Sequence, residues 1–215
     1  MMNPYEVVRA FEQAIADWAG APYGVAIESG SAALFLSCLW ARVGDIEIPK
    51  RTYPSVPCAI IHAGGSVRFR DEAWRGIYEL RRWEQYPYFE GVRQIIDGAL
   101  RFRPGMYAPG TLHCLSFHVK KALPIGRGGM ILTDDAAAVH WLRLARFDGR
   151  EERPLQDAPP VMLGWNFYLQ PEQAVQGLLL FNALRSLRGD DPGQWPDLDV
   201  EKQGYPDLSL LSFYK

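Results

Sequence analysis

The 215-residue chain is 48% hydrophobic and 22% charged with a formal net charge of -2, the composition of a globular protein that buries a sizeable core. That balance excludes a disordered or collagen-like chain, and it offers no basic field for nucleic acid and no acidic solvating block. Three cysteines, Cys38, Cys58 and Cys114, are odd in number and not closely paired, which argues against a disulfide framework or a zinc knuckle and for a reducing compartment. The first residues do not pattern as a signal peptide, and no apolar run approaches the ~18 residues of a membrane span. The expectation is a soluble, cytoplasmic protein that binds neither nucleic acid nor membrane.

Asn3-Pro4 reads as a helix start, followed by Val7, Val8, Phe11, Ala14, Ile15 and Trp18 at helical spacing and a stop at Gly20. Tyr23 to Ile27 is a short strand. Ser29-Gly30-Ser31 turns it into a helix that carries Ala32 to Trp40. Ile46 to Pro49 is a second strand, a helix follows from near Pro54 to the break at Gly64-Gly65, and Ser66 to Phe69 is a third strand. The aromatic and charged stretch from Trp74 to Tyr88 reads as helix then loop, and Val92 to Ile96 as a strand ending in Asp97. Leu112 to Phe117 and Met130 to Thr133 are strands on either side of the turn at Gly126-Arg127-Gly128-Gly129. Asp134 to Phe147 is a helix, the proline-rich stretch around Pro154, Pro159 and Pro160 a loop, and Pro171 to Arg185 the last helix. Residues 1–188 are expected to form one large α/β domain and 189–215 an irregular tail.

Three features bear on chemistry, each with a plain alternative. Free amides at the helix start after Ser29-Gly30-Ser31-Ala32 suit an anion, phosphate above all, although such turns commonly serve only to reverse the chain. Asp97 ends a buried strand, where open α/β sheets place ligands, yet an isolated aspartate there also serves as a cap. Lys121, in Ser116-Phe117-His118-Val119-Lys120-Lys121, could attack a carbonyl carbon if partly desolvated, yet adjacent lysines are commonly a solvated pair. Taken together, a phosphate cradle, a strand-end carboxylate and a later lysine are the parts of a pyridoxal phosphate (PLP) site.

The same segments resemble a known family. Ser29-Gly30-Ser31-Ala32-Ala33-Leu34 is similar to the SGTAAL element of the DegT/StrS-type sugar-nucleotide aminotransferases, and Ile48-Pro49 through Thr52-Tyr53 to their segment with a ring-stacking aromatic. Ile95-Ile96-Asp97-Gly98-Ala99, Ser116 through Pro124, Gly128 through Asp134, Gly164-Trp165-Asn166-Phe167 and Gln173-Ala174 resemble further family motifs in the family's order. The resemblance implies the three-layer αβα large domain of a fold-type I PLP enzyme, trimmed, with the C-terminal small domain largely missing. It further implies that Gly30, Ser31, Ala32 and Ser116 hold the phosphate, Tyr53 stacks on the ring, Asp97 pairs with its nitrogen, and Lys121 forms the aldimine and shuttles the proton. Asn166 would complete the site of a neighbouring subunit, giving a homodimer with shared active sites. The implied activity is PLP-dependent transfer of an amino group from an amino acid to a keto-sugar nucleotide.

Departures from the pattern keep other readings open. Leu100 stands where the family usually has His or Gln and Tyr168 where it has Arg; the stretch between Asp71 and Asp97 is short, and the sequence beyond Leu180 is a short tail. A noncatalytic descendant that keeps the fold as a binding or scaffold protein, or a PLP enzyme acting on a small amino acid, would fit these departures. His62, His140, His113 and His118 lack metal-ligand spacing. Trp74, Trp83, Tyr86, Tyr88 and Phe89 are read as core or interface aromatics before a sugar-binding surface.

Overall fold

The computed structural model describes residues 3–83 and 94–214. Seven strands form one sheet: β1 (Tyr23–Ile27), β2 (Asp45–Pro49), β3 (Ser66–Arg70), β4 (Tyr78–Arg82), β5 (Gln94–Asp97), β6 (Thr111–Ser116) and β7 (Gly129–Thr133), in the order β1-β7-β6-β5-β4-β2-β3. Among the described residues, five α-helices accompany them: α1 (Glu6–Ala19), α2 (Gly30–Trp40), α3 (Ser55–His62), α4 (Ala136–Ala145) and α5 (Pro171–Arg188). The pairings β2·β3 and β5·β6 are parallel, whereas β4 and β7 are antiparallel to both of their neighbours. Strands β1, β6, β5, β2 and β3 therefore run in one direction and end at one edge of the sheet, the edge where open α/β sheets bind ligands.

The sheet is covered on both faces, as strands with nearly continuous apolar sequence require. Ile131 of β7 and Cys114 of β6 point into a cluster with α2, α3 and α4. Their neighbours Met130, Leu132 and Leu115 point the other way, into a cluster with Phe11, Ile15 and Trp18 of α1 and Phe181 of α5. This is the alternation of a pleated strand, and it yields the expected three-layer αβα arrangement.

Most expected elements are present with small shifts of boundary. The first helix starts at Glu6, and Asn3 Oδ1 instead accepts from the Tyr5 amide at 3.0 Å. Gly20 ends that helix in the left-handed region, at φ 80°. One expectation is overturned. The helix anticipated after Trp74 is the strand β4, while Tyr86, Tyr88, Phe89 and Val92 lie outside the described residues. Residues 71–77 are all that join β3 to β4, too few for the dozen or more of a parallel crossover. A strand entering the sheet on so short a connection has to run backwards, and β4 does.

Strand β1 lies at an open edge, and its exposed backbone is covered by a buried ion pair. Glu12 Oε1 accepts from the Ala26 amide at 2.9 Å, and Arg146 donates to the Ala26 carbonyl and to Glu12. Arg146 also donates to Glu152 at 2.8 Å and is fully buried. Burial alone would raise the Glu12 pKa, but Arg146, Arg9, Arg143 and the Ala26 amide outweigh it and hold the carboxyl below its ordinary value. The pair joins α1, α4 and β1 immediately before the turn at Ser29. Removing one partner strands the other charge in the interior. Glu12→Gln is expected to lower unfolding free energy by about 3 kcal/mol in urea titration at neutral pH. Because the wild-type carboxyl is depressed, the difference should shrink as the pH falls through its folded pKa.

Candidate active site

A cavity of about 480 Å³ opens at the sheet edge where the parallel strands end, and its lining includes Ser29, Gly30, Ser31, Tyr53, Asp97, Ser116, Lys121 and Tyr205. The volume is within the range of small-molecule sites. Helix α2 starts at the rim, so the Gly30 and Ser31 amides, in its first turn, have no partner within the helix. The Ser31 hydroxyl donates to Ser55 at 2.7 Å. Ser29 caps the helix by accepting from the Ala32 amide at 3.1 Å. Ala32 is thus engaged and is not part of the lining, which leaves Gly30 and Ser31 as the available amides.

Close packing places this cradle. A Cβ on Gly30 would lie 2.8 Å from Ser116 Cβ, and one on Gly129 would lie 2.5 Å from the Ser29 carbonyl carbon. No side chain fits at either point, so the start of α2 rests directly on the ends of β6 and β7.

Asp97 sits at the end of β5 and is 4% exposed. Burial raises its pKa, and three groups oppose the rise: the Ala99 amide, which donates at 2.9 Å, the Tyr78 hydroxyl, and the charge of Lys121. Tyr78 is Asp97's direct partner in the antiparallel β4·β5 register, so their side chains share a face. The Tyr78 hydroxyl also lies 2.6 Å from Thr52 Oγ1. Leu100, where the resemblance leads one to expect a polar side chain, is buried in this structure. Sequence reasoning missed Tyr78. The available signal was the alternation of buried Tyr78 and Leu80 with Glu79 and Arg81.

Lys121 is half-buried, whereas Lys120 is exposed. Burial lowers the Lys121 pKa and Asp97 opposes the fall, so the two side chains feel one another across the same cavity. Tyr53 lines the opening and remains 56% exposed. Arg127 lines it too and pairs with Glu28 at 3.0 Å. Asn166 is not brought in: it donates to Asp148 at 3.2 Å, outside the lining of this cavity. His113 lies within β6 and is buried, and burial lowers its pKa to about 4. Among the described residues no group of His, Cys, Asp and Glu could hold a metal.

An anion cradle, a buried carboxylate and a half-desolvated amine lining one cavity suit a compound that carries a phosphate, a protonated ring nitrogen and a carbonyl. The raised pKa of Asp97 has a consequence for stability. The folded state holds this proton more tightly than the unfolded chain, so stability is greatest below the ordinary carboxylate pKa and declines as pH rises through the raised value. Asp97→Asn removes the ionisable group. Its melting temperature is expected to exceed wild type at about pH 8 and to converge with it near about pH 4. Tyr78→Phe takes away a donor to the carboxylate and should steepen the wild-type decline; parallel melting curves for all three proteins across this range would contradict the assignment.

Comparison with known proteins agrees with the geometry. A sequence model of the DegT/DnrJ/EryC1/StrS aminotransferase family matches residues 1–74 and 105–189. The unmatched interval holds β4 and also Asp97, whose place in the site therefore rests on its position in the fold. The UDP-4-amino-4,6-dideoxy-N-acetyl-beta-L-altrosamine transaminase of Campylobacter jejuni is 21% identical over 97% of this chain and 65% of its own length. Sugar aminotransferase CalS13 from Micromonospora echinospora superposes with a TM-score of 0.66 at 20% identity, over 82% of this chain and 60% of that one. Spr1654 from Streptococcus pneumoniae, in its PLP form, gives 0.67 at 15% identity over 84% and 60%. The chain thus spans under two thirds of each of these proteins. It belongs to the DegT/DnrJ/EryC1/StrS aminotransferase family.

Proposed function

We propose that this chain is a PLP-dependent aminotransferase that moves an amino group from an amino acid to a keto-sugar nucleotide. The observation that carries the reading is the convergence of Asp97 and Lys121 on one cavity with the free amides of Gly30 and Ser31 at its rim. Membership of an aminotransferase family supports it, as do a relative named as a nucleotide-sugar transaminase and a structural neighbour in PLP form.

Each residue has a task that follows from its surroundings. Gly30, Ser31 and Ser116 bind the phosphate through amides and hydroxyls at the start of α2. Asp97, buried at the cavity wall, is placed to hold a proton on a ring nitrogen in a setting where that attraction is little screened. Tyr53 covers one ring face. Lys121, whose pKa burial depresses, offers a neutral amine to a carbonyl carbon and then receives and returns the proton of the substrate carbon. When bound, the cofactor supplies the electron sink for bond breaking at the amino-bearing carbon. Asn166, which lies outside its own chain's cavity, is assigned to the cavity of a second subunit in a homodimer. The anion cradle and the amine line one cavity, an arrangement that would hold cofactor and substrate in a fixed orientation.

Purified protein mixed with PLP should develop a visible absorption band that borohydride bleaches, and Lys121→Ala should lack it. The rate of attachment should rise with pH about a midpoint below the ~10.4 of a free lysine, because only the neutral amine reacts. Asp97→Asn should move that midpoint lower still, since Asp97 is the group that favours the charged amine. Identical spectra for wild type and Lys121→Ala would overturn the proposal.

A further inference from the structure

Residues 192–214 form four 3-10 turns, at Pro192–Gln194, Glu201–Gln203, Leu208–Leu210 and Ser212–Tyr214. A segment with so little regular structure would be expected to wander, because ordering each residue costs backbone entropy. Anchors at both ends hold this one. At the near end, the Trp195 ring is buried against Trp18, with centroids 4.8 Å apart, and its indole donates to the Gly189 carbonyl at 3.0 Å. Arg101 then grips Asp197 with two nitrogens, at 2.8 and 2.7 Å, and the Leu198 amide donates to the Leu100 carbonyl at 2.8 Å. At the far end, the Leu208 amide donates to the Lys50 carbonyl at 2.9 Å, Asp207 pairs with the Lys50 ammonium at 3.3 Å, and the Tyr214 hydroxyl donates to the Pro54 carbonyl at 3.1 Å.

The anchor points flank the cavity. Leu100 and Arg101 follow the end of β5, and Lys50 and Pro54 follow the end of β2. The segment therefore spans the sheet edge from β5 to β2, and between its two moorings Gln203 and Tyr205 enter the cavity lining. Gly204 makes the turn between them, in the left-handed region at φ 65°. The Tyr205 ring stacks over Trp74 with an interplanar angle of 9° and meets Tyr53 edge-on with centroids 6.2 Å apart. Burial, then Asp97, then Tyr53 all raise the Tyr205 pKa, so the phenol is protonated and can donate a hydrogen bond.

We propose that the segment 195–214 is a wall of the cofactor site and that Tyr205 is its ligand-contacting residue, packing against the bound PLP together with Tyr53. The inference rests on the cofactor reading and adds a residue and an element to it. A wall moored at both ends and contacting the ligand slows ligand release, and the coupling is reciprocal: whatever affinity the wall gives to PLP, bound PLP returns to the wall as protection from opening.

The test measures PLP affinity by its absorption and amide hydrogen exchange over 198–208, in the full chain with and without PLP. Wild type should bind PLP and exchange more slowly across the segment when it is bound. Tyr205→Ala should bind about tenfold more weakly, as expected for one lost hydrogen bond and its packing, and should lose most of the protection. Asp197→Ala, which loosens the near mooring without touching the cavity, should weaken binding by a smaller factor in the same direction. Leu187→Ser, on the exposed surface of α5 and outside the segment, should match wild type in both measurements. Wild-type affinity in Tyr205→Ala, with exchange unaffected by PLP, would overturn this inference alone. A wild-type protein that does not bind PLP would overturn it together with the reading it rests on.

Discussion

A carboxylate buried at the end of a central strand is costly to hold out of water, and its neighbours are arranged around it. Out of water, Asp97 tolerates its charge only where donors and an opposite charge reach it. The Ala99 amide comes from its own turn, the Tyr78 hydroxyl from the neighbouring strand, and the charge of Lys121 from across the cavity. None of the three alone offsets the burial, since the pKa of Asp97 stays raised. The remaining imbalance can be relieved by a ligand that brings a proton to the carboxylate. A buried titratable group held at such a cost is common at functional sites.

Strand direction delivers these groups to one place. Five strands end at the same edge, and the cradle before α2, the carboxylate after β5 and the lysine after β6 are consequences of that single geometric fact. The two reversed strands do separate work. Strand β7 brings Gly129 beneath the start of α2, and β4 brings Tyr78 beside Asp97. A short connection between β3 and β4 thus has a chemical effect: reversal of the strand sets the register that puts a phenol against the carboxylate.

Legibility in the sequence followed the range of the interactions involved. Helix α1 and strands β1, β5, β6 and β7 could be read from local period and breakers, because each buries a face its own sequence defines. The cradle after Ser29, Asp97 and Lys121 could be read together from the sequence, and the structure lines one cavity with them and with Ser116. Strand β4 was easily misread, since its Tyr78–Leu80 alternation is short and charged and is confirmed as a strand only by the β2 and β5 that flank it. The moorings of the C-terminal segment were invisible for a related reason. Trp195, Leu208 and Tyr214 are single buried residues in sequence without period, and their partners are far away along the chain. Ala32 was misjudged more subtly: the helix start was read correctly, but the Ser29 cap that occupies its amide was not.

The central claim, that Lys121 rather than its neighbour meets the cofactor, is most directly tested by locating the covalent attachment. The protein is loaded with PLP, reduced with borohydride, digested and sequenced by mass spectrometry. The account predicts the added mass on Lys121, with Lys120, one residue away and exposed, left unmodified. Label on Lys120, or spread evenly over the surface lysines, would contradict it.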